Sequence, residues 1–374
     1  MDVVPPEEGW ETDPFNLVEK DGKLYGRGAV DNKGPMMCWI NAIEAYQATK
    51  TELPVNIKFI IEGMHEVGSE GLGRLMLTKK KTFLKDIDFV CINDTSWAGM
   101  KKPSVSYGTR GLLYFSVSVE GLSKDLHSGE YGGAVVEPLA DLIFLMNSLQ
   151  DHNGRIQVPR IHDDVLQVTP EEERVYKSVT LDVEEMRREV GANKLAHKED
   201  KVRLLMHRWR FPSISYHGIE GAYSGPGGKS IIPAKVVGKF SVRLVQHMQT
   251  ERATMKITEH LEKAFKLRKS PNRLDIQVLT STSPWSENPM TPHYTAARKA
   301  IKHAYQIEPD LVREGSTLPI CNLMHEMTEG KSILLLPLAT RADGVHASNE
   351  KMDLKRYILG VKVIAGYIYE LSLV

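Results

Sequence analysis

The sequence predicts an α/β protein in which a parallel-sheet domain is split by an inserted α+β domain of ferredoxin-like type. Three observations carry that prediction. Short apolar, β-branched runs alternate with amphipathic stretches at both ends of the chain, as in βα units. Between them lie strands that alternate apolar with polar residues, the mark of a sheet with one solvated face. The middle elements run β-α-β-β-α-β, the order of the ferredoxin-like unit. The changes of texture set the boundaries: 1–109 and 286–374 for the two parts of the parallel-sheet domain, and 110–285 for the insertion.

Taken in order, Lys23–Tyr25 approaches a turn as a strand, and Gly26 and Gly28 permit the turn. Gly34-Pro35 then opens a helix, because proline suits the first helical position. Met36, Trp39, Ile40, Ile43 and Tyr46 recur at helical spacing through Ala48. Asn56–Glu62 reads as a buried strand, Gly71–Leu84 as a helix and Asp88–Asn93 as another buried strand. Leu113, Phe115, Val117 and Val119 alternate with Tyr114, Ser116, Ser118 and Glu120. A helix over Val136–Leu149, a polar, helix-leaning section over Thr169–His207, and strands over Ser213–His217 and Val236–Val245 follow. Helix Thr250–Lys269 and strand Leu274–Leu279 complete the insertion. The buried style then resumes with helix His293–Tyr305, strand Ser332–Leu336 and a last helix through Tyr367.

At 374 residues, 41% hydrophobic and 26% charged, the chain has the length and composition for two sizeable cores. Its 48 basic and 48 acidic residues cancel, which argues against nucleic acid or a membrane surface as partner. No apolar run reaches membrane-spanning length. Cys38, Cys91 and Cys321 lie far apart in apolar surroundings, which points to buried thiols in a reducing, cytoplasmic compartment.

Ligands gather at the carboxyl ends of strands in open α/β sheets. That rule selects Asp31, then His65-Glu66, then Asp94, and finally the loop Arg341–His346. Three carboxylates and a histidine on one rim repel strongly unless a cation neutralises them. Carboxylates with imidazole suit zinc, manganese or cobalt, and a pair of such ions activates a water and polarises a carbonyl. The competing reading is a solvated acidic rim. Other motifs fail on spacing: Gly225–Ser230 lacks the leading glycine of a phosphate loop at Tyr223, and His65-Glu66 meets Ser69 where a zincin helix needs histidine.

Met-Asp-Val-Val-Pro at 1–5, Gly-Arg-Gly-x-x-Asp-x-Lys-Gly-Pro at 26–35, Glu-Gly-x-x-Glu-x-Gly-Ser at 62–69, Asp-Leu-His-Ser-Gly at 125–129 and His-Gly-Ile-Glu-Gly-Ala at 217–222 keep one order along the chain. In these residues the chain resembles the M20 metallopeptidases, and within them the cytosolic non-specific and carnosine dipeptidase group. The resemblance implies a catalytic α/β domain with two zinc or manganese ions, a lid domain that mediates homodimerisation, and dipeptides as substrate. It implies that Asp31 bridges both ions, that Glu66 and Asp94 each bind one, and that His346 completes a site beside the substrate. His127 matches the lid histidine that reaches the partner subunit's site to stabilise the oxyanion. Arg243 matches the arginine that pairs with the substrate's C-terminal carboxylate, a bidentate role that suits a guanidinium. Ser230 and Thr317 match hydroxyls near the substrate backbone.

Two departures temper the resemblance. The family's first ligand is the histidine of a His-x-Asp motif, and this chain starts at that motif's middle residue, Met1. The sequence is therefore expected to be N-terminally short of the family pattern, with Asp2, which orients that histidine, still present. His65 stands where the family has a glutamate general base. An imidazole can accept a proton, yet it can also bind metal and block the water. Impaired hydrolysis, or a non-catalytic dimeric homologue acting by binding, are the two outcomes kept open. A metal-dependent phosphoesterase is disfavoured by the carboxylate-matched arginine.

Overall fold

A computed structural model describes residues 2–374. Two sheet systems with separate apolar cores organise the chain. The first is a four-stranded sheet in the order Asp310–Val312, Ser104–Ser106, Ser332–Leu335, Phe89–Ile92. Its outer pairs are parallel, with Ile333 opposite Val90 and Leu311 opposite Val105. The two pairs meet antiparallel at Leu335 and Ser106. The sheet is thus mixed, where the sequence predicts a parallel one. The reason is the connection: the chain passes from Ile92 to Ser104 without a helix, and strands of one sheet joined in sequence run parallel only when a long crossover links them.

Helix Leu354–Leu371 packs between helix Lys33–Ala48 and helix Pro292–Tyr305 over this sheet. Cys38, Ala42, Tyr294, Leu334, Val363 and Tyr367 share one core, drawn from residues before 110 and after 285. Helix Pro319–Met327 was not read from the sequence, although Pro319 marks its start and Cys321, Met324 and Met327 line its buried face.

Asn56–Glu62 does not form the strand the sequence predicts. The segment pairs with no strand among the described residues, and Phe59, Ile60 and Ile61 remain exposed. Val55 and Ile57 pack on the core, and Trp39 meets Phe59 edge-on at 6.2 Å. Side-chain packing holds this segment, and strand Phe89–Ile92 keeps a free edge.

The second sheet has the order Arg273–Thr282, Gly111–Glu120, Lys235–Leu244, Ser213–Glu220, all antiparallel. That is the ferredoxin-like order expected from the alternation. Leu113, Phe115, Val117 and Val119 all face its core, and Phe115 stacks on Phe240, its register partner, at 5.0 Å. Helices Pro138–Asn147 and Thr250–Arg268 cover that face. The polar section after the first helix folds as helices Pro170–Ser178, Val183–Glu189 and Lys201–Trp209. Among the described residues no helix is long and apolar enough to cross a membrane.

Candidate metal centre

The centre is built on the glycine loop before helix Lys33–Ala48. Gly28 takes φ +84°, and a Cβ at Gly34 would lie 2.2 Å from the Ala29 carbonyl and 2.6 Å from Met352 Sδ. Those two positions need glycine for conformation and for close approach. The loop then wraps a fully buried carboxylate, Glu350. Glu350 Oε2 accepts from Arg27 Nη1 at 2.8 Å and Gly28 N at 2.9 Å, while Oε1 accepts from Val30 N and Asp31 N, both at 2.9 Å. Four donors on two oxygens fix the direction in which Asp31 leaves the backbone.

Two further loops complete the cluster. Glu66 sits in the short turn His65–Val67, and its N–H donates to Asp2 Oδ2 at 2.8 Å. His346, at φ +64°, follows a turn capped by Thr340 and Asp343, and Arg356 pins Asp343. His346 Nε2 stands 3.0 Å from Asp31 Oδ2 and 3.3 Å from Glu66 Oε1. Ligand atoms of Asp31, Glu66 and His346 all lie within 4.8 Å of one another.

Asp94 stands outside that trio but close to it. Burial raises the Asp31 carboxyl above the usual carboxylate range, and the charges of Asp94 and Glu66 raise it further. A buried carboxylate facing two more is short of positive charge, and a divalent ion bound by oxygen and imidazole donors supplies it. The residues present therefore fit a metal. His65 contributes differently: its Nε2 lies 3.2 Å from Asp94 Oδ2 and its Nδ1 3.5 Å from Glu62 Oε1. The hydrogen bond to Asp94 outweighs burial and lifts His65 to about 9. Asp2, Asp31, His65, Glu66 and Asp94 line one cavity of about 350 Å³, whose deeper wall is apolar.

The other residues named from the sequence lie elsewhere. His127 is exposed on a two-stranded ribbon, Leu126–His127 with Ile231–Ile232, and its Nδ1 accepts from Gly129 N at 3.1 Å. Ser230 adjoins the same ribbon, its carbonyl accepting from Ser128 N. Arg243 Nη1 donates to Thr317 Oγ1 at 2.7 Å. None of these four lines the cavity beside Asp31. Sequence reading missed Glu350, which no spacing or turn signal marks. It also missed Glu314, a buried carboxyl accepting from Ser106 Oγ at 2.6 Å and pushed up to about 8, chiefly by burial. Arg27 had left a clue, as a charged residue between two turn glycines.

Residues 1–370 match the profile of Peptidase family M20/M25/M40. The chain is 46% identical to human Beta-Ala-His dipeptidase over 374 residues, spanning all of this chain and 73% of that protein. It is 44% identical to the Cys-Gly metallodipeptidase dug1 of Schizosaccharomyces pombe, spanning all of this chain and 78% of that one. The crystal structure of human carnosine dipeptidase 1 superposes with a TM-score of 0.88 at 45% identity, covering all of this chain and 78% of that one. Saccharomyces cerevisiae Dug1p superposes with the same score at 40% identity, over 99% of this chain and 78% of that one. Joined to the clustering of Asp31, Glu66 and His346, these likenesses establish that the chain belongs to peptidase family M20/M25/M40.

Proposed function

We propose that this chain is a metal-dependent dipeptidase holding two divalent ions, zinc or manganese. Asp31, Glu66, Asp94 and His346 would hold these ions, with Asp31 shared between them. The observation that carries this is the convergence of Asp31, Glu66 and His346 from three distant loops onto one point. When bound, such ions polarise a carbonyl and lower the pKa of a water at neutral pH.

The chain's own residues then have separable tasks. Asp2 holds the Glu66 backbone, and Glu350 holds that of Asp31. Arg243 binds the carboxylate at the dipeptide's C-terminal end, and Thr317 and Ser230 border its backbone. Residues 110–285 serve as a lid and dimerisation unit, and 1–109 with 286–374 form the catalytic unit. An exposed His127, away from the acidic cluster of its own chain, suits a role at the partner subunit's site, where it steadies the oxyanion. The three free thiols agree with a cytoplasmic setting.

A specific observation favours a second reading, a binding homologue without turnover. Both ring nitrogens of His65 face carboxylates, which favours its protonated form where hydrolysis requires a base. Metal analysis of the purified protein, beside hydrolysis of β-Ala-His and Cys-Gly with manganese or zinc, tests both. Bound metal with hydrolysis, both lost in Asp31→Asn, is the expected result. Metal without hydrolysis supports the binding homologue, and a protein that retains no metal ends the case for the metallodipeptidase.

A further inference from the structure

Arg243 does not stand alone at the carboxylate end of the site. Ser213, its register partner on the neighbouring strand, accepts from Arg110 Nη1 at 2.8 Å. Thr317 links the two arginines, since its Oγ1 accepts from Arg243 Nη1 and donates to the Arg110 carbonyl, both at 2.7 Å. Arg110 Nε donates to the Gly315 carbonyl at 2.9 Å, and a Cβ at Gly315 would press 3.4 Å against Arg110 Nη2. Two hydrogen bonds, to Ser213 Oγ and the Gly315 carbonyl, therefore hold the guanidinium in place.

Neither arginine pairs with a carboxylate among the described residues, and both are half-buried. The remaining N–H groups of each fork have no protein acceptor. Burial, followed by the charge of Arg243, pushes Arg110 down to about 10. Two uncompensated guanidinium groups side by side cost free energy unless an anion joins them. One substrate carboxylate balances one of them, so the site carries a positive charge in excess of what an ordinary dipeptide supplies.

We propose that Arg110 is a specificity-determining residue, and that with Arg243 it selects dipeptides whose C-terminal residue is itself acidic, so that two carboxylates meet two guanidinium groups. The proposal rests on the assignment of Arg243 to the C-terminal carboxylate. A planar guanidinium presents paired donors that match a carboxylate, so Arg110 discriminates an acid from its amide isostere by charge and by geometry.

The test compares Ala-Asp with Ala-Asn, which differ only in that second carboxylate. Binding is measured by calorimetry on chelator-treated full-length protein, so that no turnover is needed, and KM and kcat are measured with manganese where turnover occurs. The expected result is Ala-Asp tighter than Ala-Asn by about ten- to a hundredfold. Arg110→Gln should abolish that preference while leaving Ala-Asn within about threefold, and Arg110→Lys should restore part of it. Rescue by lysine separates a charge effect from a merely structural one, and circular dichroism checks the fold of each variant. Equal binding of the two dipeptides, both lost in Arg243→Gln, would overturn the role of Arg110 and leave the Arg243 assignment standing. Absence of binding by either dipeptide to the unmodified protein would end both.

Discussion

Glu350 Oε1 accepts the backbone N–H of Asp31 at 2.9 Å, so a residue 319 positions away sets where the central carboxylate of the cluster points. The same carboxylate neutralises buried Arg27. Glu350→Ala should leave that guanidinium unpaired and three backbone N–H groups without an acceptor, a loss of about 3–5 kcal/mol. Glu350→Gln keeps the shape and should lose less stability while weakening metal affinity about 10- to 100-fold. Urea unfolding and metal titration of both variants check the pair of outcomes.

His65→Glu should raise hydrolysis. A carboxylate there is freed from the pairing that now ties the ring to Asp94 and Glu62, and general-base catalysis contributes roughly 10²–10⁴-fold. Turnover of β-Ala-His by the variant, beside the unmodified chain at equal metal loading, is the measurement. No gain at any pH from 6 to about 9 would remove position 65 from the base role.

Mixing should restore activity if His127 works across the dimer. His127→Ala and Asp31→Asn should each be inactive when assayed alone. A heterodimer of the two carries one site of its two with neither defect, so the purified heterodimer should recover about half of full activity. Co-expression of the two variants with different tags, and assay of the doubly purified species, reads this out. Silence of that heterodimer would place His127 at its own chain's site or at none.

Acid should loosen the first core through His293. The ring is fully buried, bonded to Ser332 Oγ at 3.0 Å and Tyr367 Oη at 2.5 Å, and burial pushes it down to about 4 from 6.5. Its folded-state value is depressed, so the unfolded chain binds the extra proton between those two values. The stabilisation is complete above about pH 6.5 and is lost as pH falls toward 4, by about 3 kcal/mol in all. His293→Gln should flatten that part of the profile in denaturant melts from pH 7.5 to about 4.5.

Much of the fold was legible because its signals are local. Leu113, Phe115, Val117 and Val119 alternate with polar neighbours, and a period of two needs no knowledge of the partner strand. Gly28 and Gly34 announce a turn and a close approach, and Asp31 follows from where such turns leave a strand. The failure at Asn56–Glu62 shows the converse. Its residues suit a strand, but a strand exists only when another backbone lies alongside, and composition does not report that.

The sequence by itself determined the β-α-β-β-α-β order and alternating faces of the inserted sheet, and it picked out the candidate ligands Asp31, Glu66, Asp94 and His346. Only the tertiary structure decided that Glu350 aims Asp31, that His65 is held between Glu62 and Asp94, and that Arg110 stands beside Arg243 without a carboxylate. The physical reason is range. Periodicity and turn chemistry act over a few residues, whereas the energy of a charge depends on which groups the folded chain brings within a few ångströms of it.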